Sequence, residues 1–143
     1  LIIGVGIDIV DLDDFRARLS DALLDELVLP SEVERASSQA RPWESYGARF
    51  AAKEAAFKAL GAGLSEGLRF RDVEVVRGAT GEVTLRLLGR ARDAALERGV
   101  TSTRVSLSHS ATTAVAVVIA EGTRADGAEG RRVPPGGREA EDR

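Results

Sequence analysis

The 143-residue sequence contains no cysteine and no methionine, one histidine, one tryptophan and one tyrosine. Without cysteine there is no disulfide, no thiolate zinc site and no cysteine nucleophile. With His109 as the sole histidine, no multi-histidine metal site can form within one chain. A bound metal must then be held mainly by carboxylates, carbonyls and water, a donor set that favours magnesium, manganese or calcium. No apolar run approaches the ~20 residues of a membrane span. Asp8 interrupts the apolar N-terminal stretch too early for a signal peptide, so a cytoplasmic location is expected. An initiator residue is expected either to be missing before Leu1 or to come from an alternative start. The net charge is −3, and no cluster of lysine and arginine marks a nucleic-acid face.

What remains is the composition of an ordinary globular protein, 43% apolar and 30% charged. A chain of this length forms one domain and buries a real core. Residues 123–143 stand apart, with four glycines, two of the four prolines, ten balanced charges and four apolar side chains. Such a segment cannot bury enough surface to offset its ordering entropy. The expected organisation is a folded domain over 1–122 and a disordered tail over 123–143.

Within the domain, Leu1 to Val10 is rich in β-branched residues and predicts a buried strand, with Asp8 its one charge. A carboxylate there must be paired, hydrated at an edge or bound to a cation. Gly4 and Gly6 share one face and leave room for close backbone approach. The apolar spacing of Phe15, Leu19, Leu23, Leu24 and Leu27 predicts a helix from Asp13 to about Val28, ended by Pro30. Ser31 with Glu34 predicts a capping box opening a short helix to about Ser38. Pro42 suits the first turn of a long helix over Trp43 to Leu60. A glycine-bearing loop follows to Leu68. A hairpin is expected over Phe70–Arg77 and Glu82–Leu88, then a helix over Gly89–Gly99 and strands over Thr103–Ser108 and Thr113–Ala120. The order gives an α+β fold, a mainly antiparallel sheet with helices packed on it.

The long helix carries the densest chemistry, Arg49-Phe-Ala-Ala-Lys53-Glu54-Ala-Ala-Phe57-Lys58-Ala-Leu60, closed by Gly61. Glu54 and Lys58 are four apart and share a face, while Phe50 and Phe57 form an apolar stripe. Taken alone, Glu54 and Lys58 read as a surface ion pair worth ~0.3–0.5 kcal/mol or as a metal ligand and a phosphate clamp.

Three segments together resemble the holo-acyl-carrier-protein synthase family of 4'-phosphopantetheinyl transferases. They are Gly4-Val-Gly-Ile-Asp8-Ile-Val10, the Arg49–Ala59 run with Gly61-Ala-Gly63, and Val105-Ser-Leu-Ser-His109-Ser110. The resemblance covers about residues 2 to 121, in order and spacing. It implies the fold of that family and transfer of the phosphopantetheine arm of coenzyme A to a serine of an apo acyl carrier protein, of fatty-acid or polyketide type, with release of 3',5'-ADP. It implies magnesium, and a homotrimer with active sites at the subunit interfaces.

Residue by residue, the resemblance makes Asp8 and Glu54 the metal carboxylates and Lys58 a phosphate-contacting lysine. Glu54, or a water on the metal, is the candidate general base for the carrier serine. His109 is implied in binding the coenzyme A phosphates. Arg49 and Lys53 match the motif, and each is either a surface charge or a contact to the 3'-phosphate. Ser108 is not read as a nucleophile, because the nucleophile belongs to the carrier. Val10 stands where some larger relatives place a third carboxylate, so a water is expected to complete the metal shell. Many members carry a basic residue where this chain has Asp13, on the helix that docks acidic carriers. Here Asp11, Asp13 and Asp14 crowd that helix start, and Arg16 and Arg18 are the candidates to replace the missing cation.

Overall fold

A computed structural model describes residues 1–123. Its longest strands, β1 (Ile2–Asp11), β4 (Val100–His109) and β5 (Thr113–Gly122), form an antiparallel sheet in the order β1-β5-β4. A separate hairpin joins β2 (Val73–Arg77) and β3 (Val83–Leu87). The helices are α1 (Leu12–Arg18), α2 (Asp21–Leu27), α3 (Pro30–Ser37), α4 (Pro42–Leu60) and α5 (Gly89–Glu97). This is the expected α+β arrangement. No helix among the described residues is long and apolar enough to cross a membrane. The expected tail lies outside the described residues except for Thr123, whose amide donates to the Gly99 carbonyl at 3.0 Å.

One face of the large sheet is made of small residues, and α4 lies directly on it. Gly4 and Gly6 of β1 and Ala114, Ala116 and Ala120 of β5 face Ala51, Ala52, Ala55, Ala56 and Ala59 of the helix, every one of these alanines being buried. A Cβ on Gly6 would sit 1.8 Å from the Ala55 carbonyl oxygen, and one on Gly4 1.9 Å from that of Ala59. Backbone approach this close is available only to glycine on the strand and alanine on the helix. Pro42 occupies the first turn of α4, and Gly61 ends it in the left-handed conformation at φ 66°.

Phe50 and Phe57 pack away from the sheet. Phe50 stacks on Phe15 of α1 with ring centroids 5.7 Å apart, and both Phe50 and Phe57 pack on Phe70, at 5.5 and 5.4 Å. The alanines face the sheet, and the aromatic stripe faces the α1 side. Buried residues surround α4 on most sides, so it is a central helix rather than a two-faced surface one.

Three expected boundaries are corrected. The single helix over 13–28 is two, because Ser20 takes an extended conformation and its hydroxyl accepts from the Leu23 amide, capping α2. The capping box on α3 is not Ser31 with Glu34. Pro30 opens the helix, and the Glu32 carboxylate accepts from the Leu29 amide at 3.0 Å. Phe70 begins a 3-10 turn (Phe70–Asp72), and β2 starts only at Val73.

Among the described residues, no layer packs on the other face of the large sheet. Ile9 pairs with Val115, Ile7 with Val117 and Val5 with Ile119 across β1 and β5. Val5, Ile7 and Ile9 are 57%, 61% and 70% exposed. A contiguous apolar strip of this kind is a mark of an interaction surface.

Candidate active site

Alternation along β1 puts Asp8 on the face that carries Gly4 and Gly6, turned toward α4. Lys58 reaches back from α4 to that strand. Its Nζ donates to the Ile7 carbonyl at 2.9 Å and to Asp8 Oδ1 at 3.2 Å. Glu54 lies one turn before Lys58 on the same helical face. Burial pushes the Glu54 carboxyl above its usual range, the Asp8 charge adds to the push, and Lys58 opposes it. Asp8, Glu54 and Lys58 thus form one electrostatic group. Lys58 pairs across to β1 rather than within its own helix.

Asp8 and Glu54 are the only pair in this group that could hold a hard cation. Among the described residues no cluster of three or more histidines or carboxylates is present. A pair fits magnesium, which binds through one or two protein carboxylates and completes its octahedron with water and substrate phosphates. Mutual repulsion of the two carboxylates in a half-buried setting is the electrostatic signature a divalent cation relieves.

His109 is not beside this group. It lies at the end of β4, across β5 from Val10, about 10 Å away at the usual strand spacing. Its ring is exposed, and its Nδ1 lies 3.4 Å from the Ser110 carbonyl, with no hydrogen bond to Ser108. It borders instead an open cleft of about 540 Å³ that also takes in Arg35, Arg41, Arg49 and Arg77. Four arginines and a histidine against one acid, Glu44, which pairs with Arg41 at 3.3 Å, give this concavity a net positive lining. Arg35, Arg41 and Arg77 were not legible as site residues, because α3, the α3–α4 loop and β2 supply them separately and each looks like an ordinary surface arginine.

Arg49 is a wall of that cleft, not a surface charge. It is 6% exposed, with Nη1 on the Ser45 hydroxyl and Nε 3.5 Å from Glu32 Oε2. Burial pushes its guanidinium down from the usual range, Glu32 holds it up, and Arg77 and Arg35 push it further down.

Both expectations for Lys53, a surface charge or a contact to the 3'-phosphate, are corrected. Lys53 is fully buried, and its Nζ donates to the Leu27 carbonyl at 2.6 Å and to Glu32 Oε1 at 2.7 Å. It sits four residues from Arg49 on the inward face of α4, and it ties α2 and α3 to that helix.

A second hollow, of about 340 Å³, opens beside α1. Ile9, Val10, Phe15, Leu23, Leu27 and Phe50 give it an apolar floor, and Asp11, Asp14 and Arg18 rim it. The two arginines expected to supply free positive charge here are engaged. Arg16 stacks over Trp43 at 3.8 Å from the ring centroid, and Arg18 pairs with Asp14 at 3.4 Å.

A helix-borne glutamate and lysine with a strand aspartate, and separately an arginine-lined cleft, are the parts of a phosphate-handling transferase. Residues 4–118 match the family described as ACPS, the 4'-phosphopantetheinyl transferase superfamily, and the chain belongs to it. The chain is 48% identical over 123 residues to the holo-[acyl-carrier-protein] synthase of Streptomyces avermitilis, covering 85% of this chain and 98% of the relative. It superposes on the crystal structure of the Neisseria meningitidis holo-[acyl-carrier-protein] synthase with a TM-score of 0.76 at 30% identity, over 85% of this chain and 99% of that one. The Bacillus anthracis holo-(acyl-carrier-protein) synthase, solved in complex with CoA (3',5'-ADP), gives a TM-score of 0.71 at 31% identity, over 85% and 98% of the two chains.

Proposed function

We infer from the family and from the three coupled side chains that the protein is a holo-[acyl-carrier-protein] synthase. It transfers the 4'-phosphopantetheine group of coenzyme A to a serine of an apo acyl carrier protein. The serine oxygen forms a bond to the β-phosphorus, the bond from that phosphorus to the bridging oxygen breaks, and 3',5'-ADP leaves. The observation that carries the reading is the meeting of Asp8, Glu54 and Lys58, from positions 46 and 50 residues apart, at one spot between β1 and α4.

The geometry supports a role for each group. Asp8 and Glu54 would hold a magnesium ion, which neutralises pyrophosphate charge when bound. Lys58 has a half-exposed side chain, so its ammonium is free to swing from Asp8 to a phosphate oxygen. Glu54, or a water on the metal it would hold, is the candidate to take the proton of the carrier serine. The cleft with Arg49 and His109 takes the second phosphate-bearing end of coenzyme A.

One subunit does not join these two halves. Arg49 precedes Glu54 by five residues, which on a helix is about 7.5 Å along the axis and about 140° around it. The cleft and the carboxylate pair therefore lie on different sides of α4. A homotrimer joins them, with the pair of one subunit facing the cleft of the next. The bare strip of Val5, Ile7 and Ile9 with Val115, Val117 and Ile119 is the surface that would bury itself in that assembly. The hollow beside α1 is the docking face for the carrier. Its acidic rim suits a carrier of fatty-acid or polyketide type whose contacting helix is less acidic than usual.

Incubation with coenzyme A, magnesium and a panel of apo carriers tests the reading by mass spectrometry. At least one carrier gains one phosphopantetheine. Asp8→Ala and Glu54→Ala each lower the rate by at least ~10²-fold while keeping the circular dichroism of the parent. Tight coenzyme A binding with no transfer to any carrier would mean a binding module instead.

A further inference from the structure

Glu32 is the least expected feature of the molecule, a fully buried carboxylate that no recognised motif contains. Its side chain is 1% exposed and gathers four groups from three parts of the chain. Oε1 accepts from the Leu29 amide at 3.0 Å and from Lys53 Nζ at 2.7 Å. Oε2 accepts from the Val75 amide at 3.2 Å and lies 3.5 Å from Arg49 Nε. Two backbone amides and a buried ammonium leave this carboxylate no freedom to move. Its second oxygen is thereby fixed against Arg49.

Arg49 in turn depends on it. Its Nε is buried with no hydrogen-bond partner, so the ionic approach of Glu32 is what compensates it. Arg35 and Arg77 line the same cleft and repel it. Among the described residues only Nη1 is hydrogen-bonded, to Ser45. A guanidinium repelled by two neighbours keeps a single orientation in the cleft wall only if a fixed anion holds its inner edge.

We propose that Glu32 is a positioning residue for coenzyme A, its buried carboxylate aiming the Arg49 guanidinium at a phosphate in the cleft. The proposal rests on the reading of Arg49 as a phosphate contact. It gives Glu32 a purpose beyond neutralising Lys53, for which one oxygen would suffice. Because the phosphate Arg49 meets is not the reacting one, loss of its alignment weakens substrate and transition state alike.

The test compares E32Q, R49Q, the double variant E32Q/R49Q and the double variant E32Q/K53M. In the last, no buried ammonium is left without its partner, so the fold is relieved of the stranded charge. Steady-state kinetics with coenzyme A and a modifiable carrier should show KM for coenzyme A raised about tenfold in R49Q, with kcat within about twofold. E32Q and E32Q/K53M should show the same rise, and E32Q should add nothing in the R49Q background. If R49Q leaves KM unchanged, the phosphate reading of Arg49 falls. If R49Q raises KM but folded E32Q/K53M does not, Glu32 is structural only. Effects of E32Q and R49Q that simply multiply would also overturn the positioning role.

Discussion

Glu54 carries the chemistry most exposed to a pH test. Its carboxyl is raised by burial and by Asp8, so the folded chain holds that proton more tightly than the unfolded chain does. The resulting stabilisation is full below the usual value of 4.5 and is lost as pH rises through the higher folded value. Glu54→Gln removes the cost of the buried charge. Metal-free E54Q should therefore unfold at a higher temperature than the parent at pH 7.5, by roughly a few degrees. The gap should close toward pH 4. Millimolar magnesium should raise the melting temperature of the parent and leave E54Q unmoved. Thermal scans across pH, with and without magnesium, check both. Lys53, its neighbour in sequence, shows how much one step round a helix matters. Burial pushes its ammonium down from the usual range, while Glu32 pulls it back up. Lys53 and Glu54 are adjacent letters of one motif, one serving the core and the other the site.

At the scale of elements, the contact of α4 with β1 governs the geometry. It sets Glu54 and Lys58 against Asp8 through backbone approach rather than through large side chains. Gly6→Ala would drive a methyl into the Ala55 carbonyl. A loss of at least about 1–3 kcal/mol is expected in urea unfolding, with activity falling as Asp8 and Glu54 are pushed apart. These elements were legible in the sequence because their signals are local: β-branched residues in β1, alanine and a glycine cap in α4, alternation in the hairpin. The Asp8, Glu54 and Lys58 set was legible only through the motif, since no periodicity links residue 8 to residue 54. Besides the cleft arginines, three features were not legible. The break at Ser20 is a cap inside an unbroken apolar spacing, and the spacing reads straight through it. The Glu32, Lys53 and Arg49 network depends on contacts spanning 17 to 43 residues, so each charge looked exposed. The direction faced by Phe50 and Phe57 depends on Phe15 and Phe70, whose packing no local pattern announces.

At the scale of the whole molecule, the proposed function divides the site between subunits, and among the described residues one apolar sheet face is exposed. Ile7→Asp places a charge in the middle of that face and should convert the assembly to monomers in analytical ultracentrifugation, with transfer lost while the monomer stays folded. A monomeric parent chain with full activity would remove the sheet face from the reaction. The most direct measurement joins chemistry and assembly. Glu54→Ala chains, inactive alone, and His109→Ala chains, nearly inactive at coenzyme A concentrations well below their raised KM, are co-expressed with different tags, purified through both tags in turn and assayed at such a concentration. In a mixed cyclic trimer one of the three interfaces pairs an intact Glu54 with an intact His109, so about a third of the parent's transfer activity should return. Mixed trimers as inactive as their parents would contradict a site shared between subunits.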